Sequence, residues 1–343
     1  MKTSIKEVAK LAGVSVATVS HVLNDTKPVR TETRKRVVDA VSKLNYQVNP
    51  MARNLRKGES KMVGFVVANL TNYYYHEISR GLEERLLKDG YRPVLIDSKE
   101  EKSIEIENVK DMLASSVDAL VIAPTTEDCS YLNFLLQGRK KRIPIIFVDR
   151  KPTGYDSDLI MATNEHGAYE GVMHLLAKGH RQIAFFGSRF DPTMNERLEG
   201  YKRALTEYDV PVNQNYIKLG SKISVTPKEL RHGSCYRHAR DLLETHPEVT
   251  AIFSGNNLAT IGVYTCIREK NLRVPEDIAF MTFDDSFWLT MTTPSISAIA
   301  QDPEEFGRMA GDIIFDRLKQ DPEAEQQHLH IRVATKMILR ESC

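Results

Sequence analysis

Cysteine is scarce in this sequence. Its 343 residues hold four, at Cys129, Cys235, Cys266 and Cys343. No two are spaced as a CxxC pair, so they read as isolated reduced thiols rather than a metal or redox site. No apolar run approaches the roughly 18–20 residues a membrane span needs. The opening residues, Met1-Lys2-Thr3-Ser4-Ile5-Lys6, lead into no apolar signal core. A cytoplasmic protein is expected. The sequence also lacks a GxSxG nucleophile elbow, a P-loop and an HExxH pair, and no nucleophile–base pair is visible. An enzyme is therefore not expected. His328-Leu329-His330 falls in an expected strand, where alternate residues face one way, but a lone histidine pair is a weak metal signal. No metal and no other cofactor are expected.

What is present is an ordinary soluble balance, 41% hydrophobic and 27% charged. The length suggests two or three compact units. The net charge of +1 hides a polarity. Residues 1–60 carry 12 Lys/Arg and 5 Asp/Glu, a surplus of +7, while the remainder carries 35 and 41, a deficit of −6. A basic head on a mildly acidic body suggests that the head meets a polyanion.

The head reads as short helices. Ser4-Ile5-Lys6-Glu7 is a capping box, followed by a helix with Val8 and Leu11 on one face. Gly13 supplies the freedom for a tight turn. Ser15 is an N-cap for a second helix, Val16 to Asn24, whose Val19, Val22 and Leu23 can pack inward. Thr31 is expected to cap a third helix with Val37, Val38, Val41 and Leu44 as its apolar stripe. Such a short turn between the first two helices fits a helix-turn-helix.

In that unit the start of the second helix enters the major groove, here Ser15, Val16, Ala17, Thr18, Ser20 and His21, with Asn24 at its end. Val16 and Ala17 suit a thymine methyl, and His21 can donate to a guanine edge. Arg30, Arg34, Lys35 and Arg36 would lie near phosphates, adding salt-sensitive affinity without sequence information. In Asn49-Pro50-Met51-Ala52-Arg53-Asn54-Leu55-Arg56-Lys57-Gly58, Pro50 can open a short helix and Gly58 close it. Leu55, flanked by basic residues including Arg56, can wedge between base steps in the minor groove; the alternative is a plain linker with one stray leucine.

Three segments, Thr3 to Ala9, Ala12 to Asn24 and Asn49 to Leu55, resemble the head of LacI/GalR-type transcription repressors over long, gapless stretches. The resemblance implies a hinge at residues 50–57, a minor-groove lever at Leu55, and a homodimer on a pseudo-palindromic double-stranded operator. Matching two-fold axes in protein and DNA follow from such a pairing.

From Lys61 the pattern changes to apolar runs of strand length, at 62–68, 93–96, 119–123 and 143–148, separated by helical stretches. The rhythm restarts with helix 164–178, strand 182–186, helices 195–208 and 227–245, and strands 250–253 and 278–281. Strands buried on both faces and alternating with helices argue for an α/β fold with parallel sheets in two halves, whose ligands sit beyond the carboxyl ends of the strands. This half resembles the family's effector domain, which shares its fold with periplasmic sugar-binding proteins. The expected organisation is a helix-turn-helix domain at 1–48, a hinge at 49–60, and an effector-binding and dimerisation domain at 61–343. Its chain is expected to cross between lobes near 162, 293 and 320, giving one lobe of 61–162 plus 293–320 and another of 163–292 plus 321–343.

By resemblance, Asp149, Arg197 (in Arg197-Leu198-Glu199-Gly200), Asn256, Asp284 and Gln301 line the effector cleft, with Tyr74 and Tyr75 where the family often has stacking aromatics. Asp, Asn and Gln pair with a polyol, and arginine offers a forked donor set. Trp288, the single tryptophan, is expected to wall the same cleft. Other readings stay open: Asp149 and Asp284 as helix caps, Arg197 as a structural ion pair, Tyr73 and Trp288 as packing aromatics. Asn257 stands where the family commonly has an aspartate. The expected function is a repressor of carbohydrate-utilisation genes, switched by a neutral sugar, sugar phosphate or sugar acid. The alternative is control through a phosphocarrier protein partner on an outer face. The chain carries no heptad tail after its last strand, which favours a dimer.

Overall fold

The computed structural model describes residues 4–25, 27–46, 59–139, 142–187, 192–220, 233–321 and 327–343, with Asn24 described by its backbone alone. The expected hinge around Pro50, with Leu55 and Arg56, lies outside the described residues. The chain divides into two compact units, residues 1–60 and 61–343.

The first unit holds α1 (Ile5–Ala12), α2 (Val16–Asn24) and α3 (Thr31–Lys43). The capping box forms: the Ser4 hydroxyl accepts from the Glu7 amide at 3.4 Å, and the Ser4 amide donates to the Glu7 carboxylate at 2.7 Å. Gly13 closes α1 with a left-handed φ of 65°. The Ser15 hydroxyl accepts from the Thr18 amide at 3.1 Å and starts α2. Val8, Ala9, Ala12, Val19, Val22, Val37 and Ala40 form the core of this unit, with Leu23, Val41 and Leu44 against it. Three expectations need correction. Leu11 is half exposed, because Ala12, four residues after Val8, takes the inward position. Val38 is also half exposed: Val37 and Ala40, three residues apart on one face of α3, take the core positions, and Val38 lies about 100° round the helix from Val37. Thr31 is the first residue inside α3 rather than its cap; Arg30 holds the N-cap position without a side-chain bond.

The second unit contains two six-stranded sheets. Its strands are β1 (Met62–Val67), β2 (Arg92–Asp97), β3 (Ala119–Ile122), β4 (Ile145–Val148), β5 (Asp158–Ala162), β6 (Ile183–Gly187), β7 (Ile217–Leu219), β8 (Ala251–Ser254), β9 (Ala279–Phe283), β10 (Ser297–Ala300), β11 (His330–Val333) and β12 (Lys336–Ile338). Its helices are α4 (Tyr73–Leu87), α5 (Lys102–Ala114), α6 (Tyr131–Leu136), α7 (Asn164–Ala177), α8 (Pro192–Glu207), α9 (Ser234–Thr245), α10 (Asn257–Glu269) and α11 (Pro303–Lys319). The first sheet runs β11-β5-β4-β3-β1-β2, all parallel; the second runs β12-β10-β9-β8-β6-β7, parallel except for β12 against β10. The two windings are the same. Continuous apolar strands are needed because helices cover both faces. Along β1, Val63, Phe65 and Val67 enter one core cluster and Val66 the other. Each such fully buried side chain contributes roughly 1.5–3 kcal/mol relative to exposure.

The first crossing between lobes follows Ala162, between β5 and α7. The others lie later than expected. Pro294 interrupts the local pattern, yet Ser297–Ile299 then pair with Met281–Phe283, so the chain stays in the second lobe until after Ala300. It returns along α11, which packs on α4, and His330–Val333 still pair with Leu159–Ala162 of the first sheet. The last crossing comes between Val333 and Lys336. These pairings join residues far apart in sequence, and no local pattern announces them. Among the described residues no helix is long and apolar enough to cross a membrane.

Candidate functional site

Two candidate sites emerge, one in each unit. In the head, Val16 and Ala17 are exposed at the start of α2, and Thr18, Ser20 and His21 are partly exposed on the same helix. The hydroxyls of Ser15 and Thr18 lie 2.9 Å apart, so both already serve the helix cap. Arg30, Lys35 and Arg36 are exposed. Arg34 differs from the expected phosphate contact: it forms an ion pair with Asp25, the left-handed residue ending α2. Leu55, Arg56 and the Asn24 side chain lie outside the described residues.

In the body, the strand ends of both sheets converge on a narrow cleft with a cavity of about 40 Å³. From the first lobe come Asn72, Tyr74 and Tyr75 at the start of α4, and Asp149 and Arg150 after β4. From the second come Thr193, Met194 and Arg197 of α8, Asn256, Asn257 and Leu258 at the start of α10, and Asp284 after β9; Gln301 lies at the second crossing. Seven of the eight expected cleft residues therefore meet in one place.

Their polar groups are bound to one another. Tyr75 donates to Asp149 Oδ2 at 2.9 Å, and Tyr74 to Gln301 Oε1 at 3.1 Å. Gln301 Nε2 donates to Asp284 Oδ1 at 2.6 Å. Burial pushes both tyrosine hydroxyls well above the usual phenol range; at Tyr74 the charges of Asp149 and Asp284 add to it. Both hydroxyls therefore stay protonated and act as donors.

Arg197 is nearly fully buried. Its Nε donates to Asn164 Oδ1 at 2.9 Å, its Nη1 to the Gly255 carbonyl at 2.7 Å, and its guanidinium lies 3.7 Å above the Phe283 ring. Asp284 Oδ2 is 3.8 Å away. Gly200, one turn along α8, explains the Arg-x-x-Gly spacing. A Cβ there would collide with the Glu165 carbonyl of α7, so only glycine lets α8 cross α7 closely enough to seat Arg197 beside Asn164.

Neither Asp149 nor Asp284 is the N-cap of the element that follows it, although Asp284 Oδ2 accepts from the Asn257 amide at the start of α10 at 3.2 Å. Each follows a strand in the left-handed region, at φ 70° and 75°, and points a carboxylate into the cavity. Asn256 is the cap instead, accepting from the Ala259 amide at 2.9 Å. Trp288 is not a wall of the cavity: it sits on the turn Phe287–Thr290, packed beside Tyr264 with ring centroids 6.3 Å apart. The 3-10 turn points its ring at the α10 side of the lobe. Tyr73 is exposed and meets Phe287 edge-on at 5.5 Å.

Sequence reasoning missed Asn72, Arg150 and Thr193. Asn72 carried a signal as the N-cap of α4, accepting from the Tyr74 amide at 3.1 Å. Arg150 directly follows Asp149 and is gripped by both oxygens of Glu100, at 2.9 and 3.0 Å. Thr193 donates to the Asp149 carbonyl at 2.9 Å and had no local signal. His330 faces Asp156 at 3.4 Å and His328 lies 4.0 Å from Asp158. Among the described residues no group of three or more potential metal ligands occurs. All four cysteines are free thiols.

A helix-turn-helix head joined to a two-lobed body defines a DNA-binding regulator. Residues 4–49 match the family described as bacterial regulatory proteins, lacI family, and residues 172–343 match a periplasmic binding protein-like domain. The chain is 30% identical over 329 residues to the ribose operon repressor of Escherichia coli K12, covering 96% of each. The chain belongs to the lacI family of bacterial regulatory proteins, a class of regulators rather than enzymes. A LacI family transcriptional regulator from Enterococcus faecium, solved with bound ribose, is 27% identical with a TM-score of 0.70, covering 82% of this chain and 98% of that one. The lac repressor dimer bound to operator and an anti-inducer shares the fold, with a TM-score of 0.83 at 23% identity over 100% of this chain and 99% of that one.

Proposed function

We propose that the chain is a cytoplasmic homodimeric repressor of carbohydrate-utilisation genes, whose affinity for a pseudo-palindromic operator is switched by a sugar-class effector in the interlobe cleft. The observation that carries this reading is the convergence of Asp149, Arg197, Asn256, Asp284 and Gln301, with two tyrosines, from both lobes onto one cavity. Ribose in the Enterococcus faecium relative and the operator-bound lac repressor dimer support it.

Val16, Ala17, Thr18, Ser20 and His21 face base edges in the major groove, on a helix bounded by Ser15 and Asn24; Arg30 lies near phosphates, and Leu55, flanked by Arg56, pries open a central step from the minor groove. Ligand binding favours one lobe arrangement and with it one spacing of the paired hinges. Near-complete reversal of operator occupancy requires a preference of roughly 5.5 kcal/mol between the two states. Two variants test the reading in an operator-binding titration. Leu55→Ala is expected to lose specific affinity while keeping nonspecific binding, and unchanged specific affinity removes the lever. Arg197→Ala is expected to lose the response to sugar, and a normal response removes the cleft assignment.

A further inference from the structure

We propose that Asn257 reads a hydrogen-bond donor on the effector, and that the cleft accepts an uncharged polyol while rejecting its carboxylate and phosphate derivatives. This inference rests on the cleft being the effector site.

The orientation of the Asn257 amide is set by its neighbours. Asn72 Oδ1 accepts from the Tyr74 amide as the cap of α4, so an oxygen faces Asn257 across the cleft. Asn257 must answer with its Nδ2, which donates to that oxygen at 2.8 Å. Its own Oδ1 is left without a donor, on a residue only 8% exposed that lines the cavity. A buried acceptor with no partner is costly until something donates to it. The Asn257 backbone amide is meanwhile bound to Asp284 Oδ2 at 3.2 Å. An aspartate at 257 would lose the donor to Asn72 and set a second carboxylate beside Asp284, which accounts for asparagine at this position.

The rest of the lining asks for donors too. Asp149, Asp284 and Asn257 present acceptor oxygens. Of the two cationic groups, Arg150 is held bidentately by Glu100. Arg197 spends Nε and Nη1 on Asn164 and Gly255, with Asp284 beside it. With Glu100 counted, three carboxylates surround two guanidinium groups, an excess of one negative charge. The adjoining space is lined by Glu77, Asp284 and Asp285 with no basic side chain, Asp285 being held by Arg340. A carboxylate or phosphate brings only acceptors and negative charge to this surface, whereas sugar hydroxyls donate as well as accept.

The test is isothermal titration of the full chain with matched ligands: ribose, ribonate and ribose 5-phosphate; glucose, gluconate and glucose 6-phosphate; cellobiose and cellobionate. A neutral member is expected to bind, and its charged derivatives about ten-fold more weakly or worse. Asn257→Ala is expected to lower affinity for the neutral ligand about ten-fold, and Asn257→Asp to lower it as well. A charged derivative that binds as tightly as its parent, with binding lost in Arg197→Ala, overturns this inference and leaves the cleft reading standing. If no ligand binds, or binding is indifferent to Arg197→Ala, the cleft reading fails and this inference with it. Unchanged affinity in a folded Asn257→Ala overturns the role of Asn257. Should that variant unfold, the comparison of matched ligands on the wild-type chain decides.

Discussion

Asp149 and Asp284 occupy the same place in the two lobes. Each follows the fourth strand of its sheet, each has a left-handed backbone, and each amide donates at 2.9 Å to the neighbouring strand, Asp149 to Ile160 and Asp284 to Ile299. The repeated winding therefore delivers two carboxylates to one cleft from opposite sides. Each has a guanidinium nearby, Arg150 at 3.6 Å from Asp149 and Arg197 at 3.8 Å from Asp284, but other partners differ: Asp149 accepts from the Tyr75 hydroxyl, whereas Asp284 accepts from Gln301 and from the Asn257 amide.

That difference gives the first prediction. Asp284→Ala leaves the buried Arg197 without its carboxylate and frees Gln301. It is expected to abolish the sugar response and to destabilise the body by about 3–5 kcal/mol, the usual cost of stranding a buried charge. Urea melts and ligand titration check both. A variant of wild-type stability would show that Asp284 does not balance Arg197.

The close helix crossing at Gly200 gives the second. A methyl group there meets the Glu165 carbonyl, which is backbone and cannot swing aside. Gly200→Ala is expected to cost about 1–3 kcal/mol in urea melts and to weaken ligand binding by shifting Arg197. Gly90 is a control: its φ of 74° also resists alanine, but nothing lies within 4 Å of its Cβ position, and it sits away from the cleft lining. Gly90→Ala is expected to lower stability without changing ligand affinity.

Much of this architecture is written locally. The capping box at Ser4 and Glu7, the Gly13 turn and the apolar strand runs need only neighbouring residues, and they fall where the sequence pattern puts them. The Arg197-x-x-Gly200 spacing is likewise visible before its reason, the helix crossing, can be known. What escaped was long-range. The later crossings depend on β10 pairing with β9 and β11 with β5, across gaps that no periodicity bridges. The chemistry of Trp288 suits a cleft wall, but a 3-10 turn directs its ring to Tyr264 instead. Thr193 and Arg150 became site residues only when distant chain segments met.

The Glu100–Arg150 pair gives the third prediction. Its side chains are only 4% and 10% exposed. Glu100→Ala removes the bidentate partner of a buried guanidinium, leaving Asp149 at 3.6 Å as its remaining carboxylate, and is expected to destabilise the body by about 1.5–3 kcal/mol. A loss well under 1 kcal/mol in a chemical melt would show that solvent reaches Arg150.

The thiols give a pH dependence. Burial raises Cys129 from 9.0 to about 12, and Cys235 and Cys266 from 9.0 to about 11. Well below pH 9 these thiols are neutral whether the chain is folded or not, so they leave stability unchanged there. Above it the unfolded chain ionises first, and stability falls as pH rises toward 11–12. Replacing Cys129 with alanine is expected to flatten that alkaline fall. At neutral pH the three buried thiols are expected to resist alkylation until the protein unfolds, followed by mass spectrometry.

The most direct test of the whole account is operator binding by the full chain. Fluorescence anisotropy on a labelled pseudo-palindromic duplex, against excess random competitor at moderate salt, should show a preference of about a thousand-fold or more, and that preference should change when the cognate neutral sugar is added. Equal affinity for every duplex, with or without any sugar, would contradict it.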